Sequence, residues 1–332
     1  MNSYAIMSAD MLQIGDQFDR FQIQAHLAQG GMSDIYRAFD VLHQREVALK
    51  VPEQSIIGDP AQYERFQREL QVMKTLRHPA ILRGIDSGKY NRTPYLVTEF
   101  VEGQSLRQLI ESRAPMPPEQ AIPIACKIAD GMAYCHDHGV VHRDLKPENI
   151  LITAEGQPVI MDFGLALTQG ARRVTYSNLS AAMGTPDYMA PEQVDGKRGD
   201  ARTDIYALGT ILYEMLAGKT PFTGDNNLAV MARHLNGVAP RLDRERADIP
   251  PQIAAIVARC LQREPDDRYP DMRALIDALN HPETADLAWL EQASAPQSVP
   301  LWRLQVVRAI GISVLVMLAI VALALVLQAI RP

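Results

Sequence analysis

Residues 141–151 read Val-His-Arg-Asp-Leu-Lys-Pro-Glu-Asn-Ile-Leu, and residues 162–164 read Asp-Phe-Gly. A carboxylate, a lysine and an amide therefore stand close together, and a second carboxylate follows shortly afterwards. Phosphoryl transfer requires such groups: an acid orients the attacking hydroxyl, oxygen ligands hold hard cations against the nucleotide, and a cation meets the charge of the moving group. The two stretches are therefore candidates for the parts of one catalytic centre.

The same two stretches resemble the catalytic loop and the metal-binding loop of eukaryotic-like protein kinases. The lysine two positions after Asp144 resembles the serine/threonine members of this family, since tyrosine kinases usually have a different loop here. The resemblance implies that Asp144 orients the substrate hydroxyl and that Lys146 lies beside the γ-phosphate of ATP. It also implies that Asn149 and Asp162 bind Mg²⁺, with Mn²⁺ as an alternative metal.

A glycine turn between two strand-like segments comes earlier in the chain. Residues 29–33 read Gln-Gly-Gly-Met-Ser, and the missing Cβ atoms let backbone N–H groups approach phosphate oxygens. Against the kinase pattern G-x-G-x-x-G-x-V, Gly30 matches the second glycine and Ile35 stands for the valine. Ala28 and Ser33 replace the other two glycines, which leaves open how tightly the loop covers the phosphates.

Residues 47–51 read Val-Ala-Leu-Lys-Val, an apolar strand interrupted by one lysine. A lysine in such a strand aims at an opposite charge or reaches the edge of the sheet. The segment resembles the kinase strand V-A-I-K, which implies that Lys50 contacts the α- and β-phosphates. A helix predicted at residues 60–76 offers Glu69 as the ion-pair partner of Lys50, and Glu64 is the alternative.

Residues 95–103, which read Tyr-Leu-Val-Thr-Glu-Phe-Val-Glu-Gly, resemble the hinge between two kinase lobes. The resemblance implies that the backbones of Glu99 and Val101 bind adenine. It makes Thr98 the small gatekeeper before them, although an ordinary strand residue is the alternative. The residues predicted to bind ATP are Leu27, Gly30, Gly31, Ile35, Ala48, Lys50, Glu99 and Val101.

Residues 184–192 read Gly-Thr-Pro-Asp-Tyr-Met-Ala-Pro-Glu and resemble the end of a kinase activation segment. By this resemblance Thr185 hydrogen-bonds Asp144 and Lys146, and Arg143 is buried and needs an anion. We expect autophosphorylation of the preceding loop to supply that anion. The candidate phosphorylation sites are Thr175, Ser177 and Ser180.

Three further residues match structural positions of the kinase family. The resemblance implies that Asp204 caps the backbone of the catalytic loop, and that Glu192 and Arg268 form a buried ion pair. Between the hinge and the catalytic loop, apolar side chains at helical spacing predict a long helix over residues 118–138.

These motifs together predict an α+β fold, the bilobal protein kinase fold. A lead of residues 1–17 precedes a small β-rich N-lobe at 18–101 and a larger α-rich C-lobe at 102–280. The net charge of −6 argues against nucleic acid as a partner. Cys126, Cys135 and Cys260 lack the spacing of metal ligands and are predicted to be free thiols in a reducing compartment.

The end of the sequence has a different composition. Residues 281–308 carry several prolines and are predicted to be a linker, and residues 309–327 contain no charged side chain. As a helix that run would measure about 28 Å, close to the roughly 30 Å of a bilayer core. We predict one transmembrane helix at 309–330, with a buried C-terminal helix as the alternative. Arg303 and Arg308 before the run favour a kinase domain on the cytoplasmic side of the inner membrane.

The leading hypothesis is a membrane-anchored serine/threonine protein kinase that uses ATP and Mg²⁺ and acts on protein substrates. Two alternatives remain open from the sequence. A nucleotide-binding pseudokinase scaffold is favoured only by Ala28 and Ser33, and a small-molecule phosphotransferase shares part of the catalytic pattern. A homodimer is left open as a further partner.

Overall fold

The computed structural model describes residues 12–29, 33–52, 72–91, 93–163, 167–168 and 186–292. The chain divides into two units, Met1–Ser294 and Ala295–Pro332, and the described residues all belong to the first. Within those ranges no helix is both long and apolar enough to cross a membrane. The predicted span at 309–330 lies outside them.

The first lobe is a six-stranded antiparallel sheet with the spatial order β1-β2-β3-β4-β6-β5. Apolar side chains at alternating positions cover one face of this sheet and form its core. The strands are β1 (Gln17–Phe18), β2 (Phe21–Gln29), β3 (Ser33–Asp40), β4 (Arg45–Pro52), β5 (Gly84–Tyr90) and β6 (Thr93–Glu99).

The opposite face of the sheet carries residues predicted to bind the nucleotide. Val47 and Leu49 lie in the core, so the alternation along β4 turns Ala48 and Lys50 to the other face. Directly opposed residues of antiparallel strands share a face, and Ile35 opposes Lys50. One face of the sheet is therefore covered by the core, and the opposite face is a candidate surface for binding a ligand.

Strand β2 departs from the simple alternation that its sequence suggests. Phe21, Ile23, Ala25 and Leu27 have the spacing of a single face, but the pairing of β2 with β3 shifts register between Ile23 and Ala25 and again between His26 and Ala28. Each shift inserts an extra residue and reverses the following side chains. Consequently Phe21 and Ile23 are buried, whereas Leu27 is 46% exposed.

Strand β5 does not begin until Gly84. The residues before it bond to the second lobe instead. The N–H of Leu82 donates to the carbonyl of Ile160, and the N–H of Ile160 donates to the carbonyl of Ala80, at 2.9 and 2.8 Å. These bonds tie the two lobes together beside the segment that carries Asp162.

The second lobe is helical and is built around one fully covered helix. In α4 every residue from Thr203 to Leu216 is buried, so this helix has no solvent face and lies at the centre. The predicted long helix is confirmed as α2. The helices are α1 (Leu106–Arg113), α2 (Pro118–Asp137), α3 (Pro191–Val194), α4 (Ala201–Ala217), α5 (Asn227–Asn236), α6 (Leu242–Glu245), α7 (Pro251–Cys260), α8 (Met272–Asn280) and α9 (Ala288–Gln292).

Short strands hold the catalytic stretch between the lobes. Strand β9 pairs with both β10 and β7, and β8 pairs with β11. The loop from β8 to β9 contains residues 142–149 and ends in a 3-10 helix, Pro147–Asn149. These strands are β7 (Gly103–Ser105), β8 (Val140–Val141), β9 (Ile150–Thr153), β10 (Pro158–Ile160) and β11 (Leu167–Thr168).

The packed part of the chain extends beyond residue 280, where the linker was predicted to begin. Helix α9 packs against α7, and its Leu290 is only 4% exposed. The guanidinium of Arg259 on α7 lies 5.3 Å from the ring centre of Trp289. Proline-rich composition suggested a tether here, but two large apolar side chains find a surface to bury against.

The three cysteines are free, as predicted. Burial raises the pKa of Cys126 to about 11. Burial also raises the pKa of Cys260 to about 12, although nearby arginines oppose it. These thiols are therefore protonated and unreactive at neutral pH.

Candidate active site

Asp144 is held by two residues of its own loop. Its carboxylate oxygen Oδ2 lies 2.8 Å from Lys146 Nζ. Asn149 Nδ2 donates to the Asp144 carbonyl at 2.8 Å and to Oδ2 at 3.2 Å. The amide nitrogen of Asn149 is thus committed to Asp144, which leaves its carbonyl oxygen Oδ1 as the end that can bind a cation.

Asp162, the first residue of the stretch 162–164, lies close to Lys50. Its Oδ1 lies 3.6 Å from Lys50 Nζ, and its side chain is 48% exposed. Burial lowers the pKa of Lys146, but Asp144, Asp162 and Glu148 outweigh it, so that pKa is raised. The charge of Asp162 contributes to this shift, so Asp162 lies near Lys146, which is itself bonded to Asp144.

The oxygen donors of this cleft fit a hard divalent cation. A carboxylate and an amide carbonyl oxygen are the ligands that Mg²⁺ prefers, and Asp162 is exposed enough to be reached. The nearby cations Lys50 and Lys146 add positive charge suited to phosphate oxygens. Asn149 Oδ1 and an Asp162 oxygen are therefore the atoms that would hold the metal.

His142 connects the two stretches, a role that the sequence interpretation did not assign. Its Nδ1 accepts from the Asp144 N–H at 3.3 Å and its Nε2 lies 3.1 Å from the Met161 carbonyl. Because a carbonyl only accepts, Nε2 must carry the proton. The ring also packs against Phe163 at 4.9 Å. The sequence signal that could have indicated this role is the position of His142 within the stretch 141–151.

Asp204 caps the backbone of the catalytic loop, as predicted. Its carboxylate accepts from the N–H groups of His142 and Arg143 at 2.9 and 2.8 Å and bonds His136 Nε2 at 2.8 Å. Burial raises the pKa of Asp204, but these partners outweigh burial and hold it below its usual range. A fully buried carboxylate therefore stays ionised and fixes the loop.

The backbone is strained at one residue in each stretch. Arg143 has φ +65° and Asp162 has φ +62°, in the left-handed region that side-chain-bearing residues rarely adopt. Such conformations persist where surrounding contacts enforce them and are concentrated at functional sites. For Arg143 the bond from its N–H to Asp204 is one of those contacts.

Arg143 is buried, as predicted, at 8% exposed. Its Nε donates to the Arg198 carbonyl at 2.9 Å and its Nη2 to the Gly199 carbonyl at 3.4 Å. The loop that was expected to bring an anion to it, with candidate sites Thr175, Ser177 and Ser180, lies outside the described residues.

The segment after the loop is anchored by the expected ion pair. Arg268 Nη1 and Nη2 donate to the two carboxylate oxygens of Glu192 at 2.8 and 2.7 Å. Burial raises the pKa of Glu192, but Arg268 outweighs it and lowers the net value. The neighbouring Gln193 bonds the Arg143 carbonyl at 2.8 Å, a contact that no sequence pattern indicated.

The connection between the lobes offers a backbone donor for a ligand. Glu99 N–H donates to the Arg83 carbonyl at 3.1 Å, and Thr98 Oγ1 donates to the Glu99 carbonyl at 3.2 Å. Among the residues that the structure describes, the Val101 N–H has no acceptor. Val101 follows strand β6 by two residues, and in that strand Thr98 opposes Ala48.

Comparison with known proteins agrees with this geometry. The family described as protein kinase domain matches residues 21–282. This chain belongs to that family. The kinase domain is similar to the serine/threonine-protein kinase PknL of Mycobacterium tuberculosis, at 40% identity over 77% of this chain and 64% of PknL. It is also similar to the serine/threonine-protein kinase PknB of Mycolicibacterium smegmatis, at 36% identity over 84% of this chain and 44% of PknB.

A solved structure shows the same architecture. The crystal structure of the Mycobacterium tuberculosis PknI kinase domain covers 82% of this chain and is itself covered completely, with a TM-score of 0.64 and 26% identity. The predicted bilobal kinase fold, with a β-rich N-lobe and a helical C-lobe, is therefore confirmed. This chain spans less than two thirds of the length of the curated relatives named above.

The kinase domain brings five of the predicted site residues to one cleft: Lys50, Asp144, Lys146, Asn149 and Asp162. Ile35 and Ala48 share the sheet face of Lys50, and Glu99 and Val101 lie at and just beyond the end of the neighbouring strand β6. Other predicted residues lie outside the described ranges, namely Gly30, Gly31, Glu69 and Thr185. For these the roles stay predictions.

Proposed function

We propose that this chain is a serine/threonine protein kinase that transfers the γ-phosphate of ATP to serine and threonine hydroxyls of proteins. The observation that carries the proposal is the shared cleft, in which Asp144 and Lys146 are 2.8 Å apart and Lys50 lies 3.6 Å from Asp162. The two similar proteins PknL and PknB are named serine/threonine-protein kinases, which supports the same activity.

Each side chain has a distinct part in this proposal. Asp144 accepts a hydrogen bond from the substrate hydroxyl and orients it toward the phosphorus atom. Lys146 neutralises charge on the γ-phosphoryl oxygens, and Lys50 holds the α- and β-phosphates. Asn149 and Asp162 hold Mg²⁺, which when bound neutralises the phosphate oxygens.

ATP fits the cleft through its base as well as its phosphates. The Val101 N–H can donate to a ring nitrogen of adenine, and the Glu99 carbonyl can accept from its amino group. Leu27, Ile35 and Ala48 supply apolar contacts above the ring, and Leu27 is exposed enough to do so. Gly30 and Gly31 are proposed to cover the phosphates.

We also propose regulation by autophosphorylation on Thr175, Ser177 or Ser180. Arg143 is positively charged, buried and adjacent to Asp144, so a phosphate near it would order the catalytic loop. Intact mass and peptide mapping after incubation with ATP test this. An unmodified loop in fully active enzyme would refute it.

The proposed location is the cytoplasmic membrane, with one span at 309–330 and the kinase domain in the cytoplasm. The uncharged run 309–327 and the arginines before it support this. Recovery of the full chain from the membrane fraction, and of a chain ending at residue 292 from the soluble fraction, is the expected result. A homodimer is a further proposal that sedimentation of the full chain would test.

The activity itself is tested with labelled ATP, Mg²⁺ and a generic protein substrate. The wild type is expected to label serine and threonine, and Asp144→Asn is expected to lose at least about 10²-fold in rate, because the amide is a poor proton acceptor. ATP binding without label in the wild type would instead identify a pseudokinase. Label only on small molecules would identify a different phosphotransferase.

A further inference from the structure

Gln193 makes two hydrogen bonds that connect the segment after the activation loop with the catalytic loop. Its Nε2 donates to the Arg143 carbonyl at 2.8 Å, and its Oε1 accepts from the Ala190 N–H at 3.0 Å. Both contacts are buried, and Gln193 itself is 8% exposed. The residue follows the Ala-Pro-Glu motif directly in sequence.

The orientation of the Gln193 amide is forced by these partners. The backbone N–H of Ala190 can only donate and the carbonyl of Arg143 can only accept. An amide supplies one acceptor and one donor on the same group, so a glutamine satisfies both. A carboxylate would satisfy Ala190 and repel the Arg143 carbonyl.

The bond to Arg143 acts on the peptide that precedes the proposed base. The Arg143–Asp144 peptide has its oxygen held by Gln193 and its N–H held by His142 Nδ1. On the other side of the Arg143 Cα, the N–H is held by Asp204. The φ angle of Arg143 is +65°. The three contacts hold the backbone on both sides of this residue, and they therefore determine the direction in which the Asp144 side chain points.

We propose that Gln193 is a positioning residue that couples the end of the activation segment to the orientation of Asp144. This inference rests on the proposed kinase function. When the segment around Ala190 is in place, the Gln193 amide holds the Arg143–Asp144 peptide. When that segment moves, the hold is lost and Asp144 is free to turn away from the substrate hydroxyl.

The direct test is Gln193→Glu in the full chain. Glutamate is a favoured residue at this third position of a helix because it can accept from the backbone N–H at the start of the helix, so the bond from Ala190 is kept. Only the donor to Arg143 is lost. We expect kcat to fall about 10- to 100-fold with the KM for ATP changed less than about twofold, since misorientation of a catalytic group lowers the chemical step.

The pH profile separates positioning from simple structural damage. Burial favours the neutral form of the introduced carboxyl group, and the neutral form has an O–H that can donate to the Arg143 carbonyl. The ratio of the wild-type kcat to the kcat of Gln193→Glu is therefore expected to decrease as the pH falls from about 8 to about 6. A deficit that stays constant with pH would overturn the proposal.

Gln108 provides a matched control. It occupies the equivalent capping position of α1, where its Oε1 accepts from the Ser105 N–H at 2.9 Å, and the hydrogen bonds of its side chain among the described residues go to Ser105. Gln108→Glu is expected to leave kcat and its pH profile unchanged. If Gln193→Glu does not fold, Gln193→Met against Gln108→Met replaces it, because each loses its cap and only the first loses the bond to Arg143.

The outcomes distinguish this inference from the proposed function. A wild type that transfers no phosphate to protein would refute the kinase function itself. An active wild type with Gln193→Glu or Gln193→Met at full kcat would refute only the coupling. The coupling would be supported if Gln193→Glu lowers kcat, if this kcat recovers toward the wild-type value as the pH falls, and if the corresponding Gln108 variant keeps the wild-type kcat.

Discussion

The two lobes hold their functional side chains in different ways. In the C-lobe, the loop carrying Asp144 is fixed by buried polar contacts to Asp204 and Gln193. In the N-lobe, Lys50 is placed by strand pairing, and its contact with the half-exposed Asp162 is 3.6 Å long, beyond hydrogen-bond length. The proposed base thus lies on a loop set by buried contacts, whereas the proposed metal ligand Asp162 is open to solvent and can be reached by a nucleotide.

This difference has a physical cause. A buried charge needs nearly complete pairing, so Asp204 and Arg268 tolerate only one arrangement of their surroundings. An exposed pair is weakened by water and can exchange its partners at little cost. We therefore expect changes in the C-lobe network to affect folding, and changes at the N-lobe lysine to affect turnover.

The largest expected effect is on stability, from Arg268→Leu. This substitution leaves Glu192 buried without its bidentate partner and removes donors from the Gln262 and Arg263 carbonyls. Breaking a buried pair in this way costs about 3–5 kcal/mol in the free energy of unfolding. Urea denaturation of the purified chain measures it.

The control for this change is Arg273→Leu. Arg273 also pairs with a carboxylate, Asp137, but the two side chains are 62% and 50% exposed. Exposed pairs contribute about 0–1 kcal/mol, so the loss should be several-fold smaller. Equal losses at the two arginines would show that burial of the Glu192 pair does not matter for stability.

The second prediction concerns rate, from Lys50→Met. Removing this cation should lower kcat/KM by about 10²–10³-fold, equivalent to about 2.7–4 kcal/mol, because the phosphates lose a preorganised charge. The free energy of unfolding should change by less than about 1 kcal/mol, since methionine keeps most of the apolar stem of Lys50 and the carboxylate of Asp162, which is 48% exposed, stays hydrated without the lysine.

Steady-state phosphorylation and urea denaturation on the same preparation test both parts of this prediction. A large loss of stability would mean that Lys50 is part of the folding network, as Arg268 is. The difference between the lobes would then not hold.

The motifs were predictable from the sequence where a residue type and its spacing decide a contact. Asp204 caps the catalytic loop and Glu192 pairs with Arg268, as the resemblance to the kinase family implied, and burial makes such partners necessary for a charged group. The fold followed from the same motifs. Burial along β2 does not follow the alternation of its apolar residues, because a register shift depends on the partner strand and cannot be identified from one strand's own sequence.

Other features could not be predicted because they depend on tertiary geometry. Gln193 is one polar residue among many, and only the approach of the Arg143 carbonyl gives it a role. The packing of α9 depends on a surface formed by α7. The tautomer of His142 similarly follows from which atoms surround its ring.

The smallest predicted effect concerns acid stability through His234 on α5. This histidine is 2% exposed, its Nδ1 lies 2.7 Å from Tyr206 Oη, and its Nε2 has no hydrogen-bond partner among the described residues. Burial lowers its pKa to about 4, although the nearby Asp187 backbone opposes the shift. Its ordinary value is about 6.5.

The folded chain therefore binds fewer protons at His234 than the unfolded chain does between those pH values. Its contribution is complete above about pH 6.5 and is lost progressively as the pH falls toward about 4. Between about pH 7 and about pH 5.5 the loss amounts to about 1 kcal/mol. The carboxyl groups of Glu192 and Asp204, whose pKa values are lowered, lose their contributions at lower pH.

The substitution His234→Gln removes the contribution of His234 protonation to the pH dependence of stability. An amide is neutral at every pH considered and can still form a hydrogen bond with the Tyr206 hydroxyl. The variant should show a flatter dependence of unfolding free energy on pH between about 7 and about 5.5, whatever its absolute stability. Parallel curves for wild type and variant would place the acid sensitivity of the C-lobe elsewhere. A flattened curve would show that the buried polar contacts which fix the catalytic lobe also make it sensitive to mild acid, an effect for which the N-lobe sheet offers no buried histidine among its described residues.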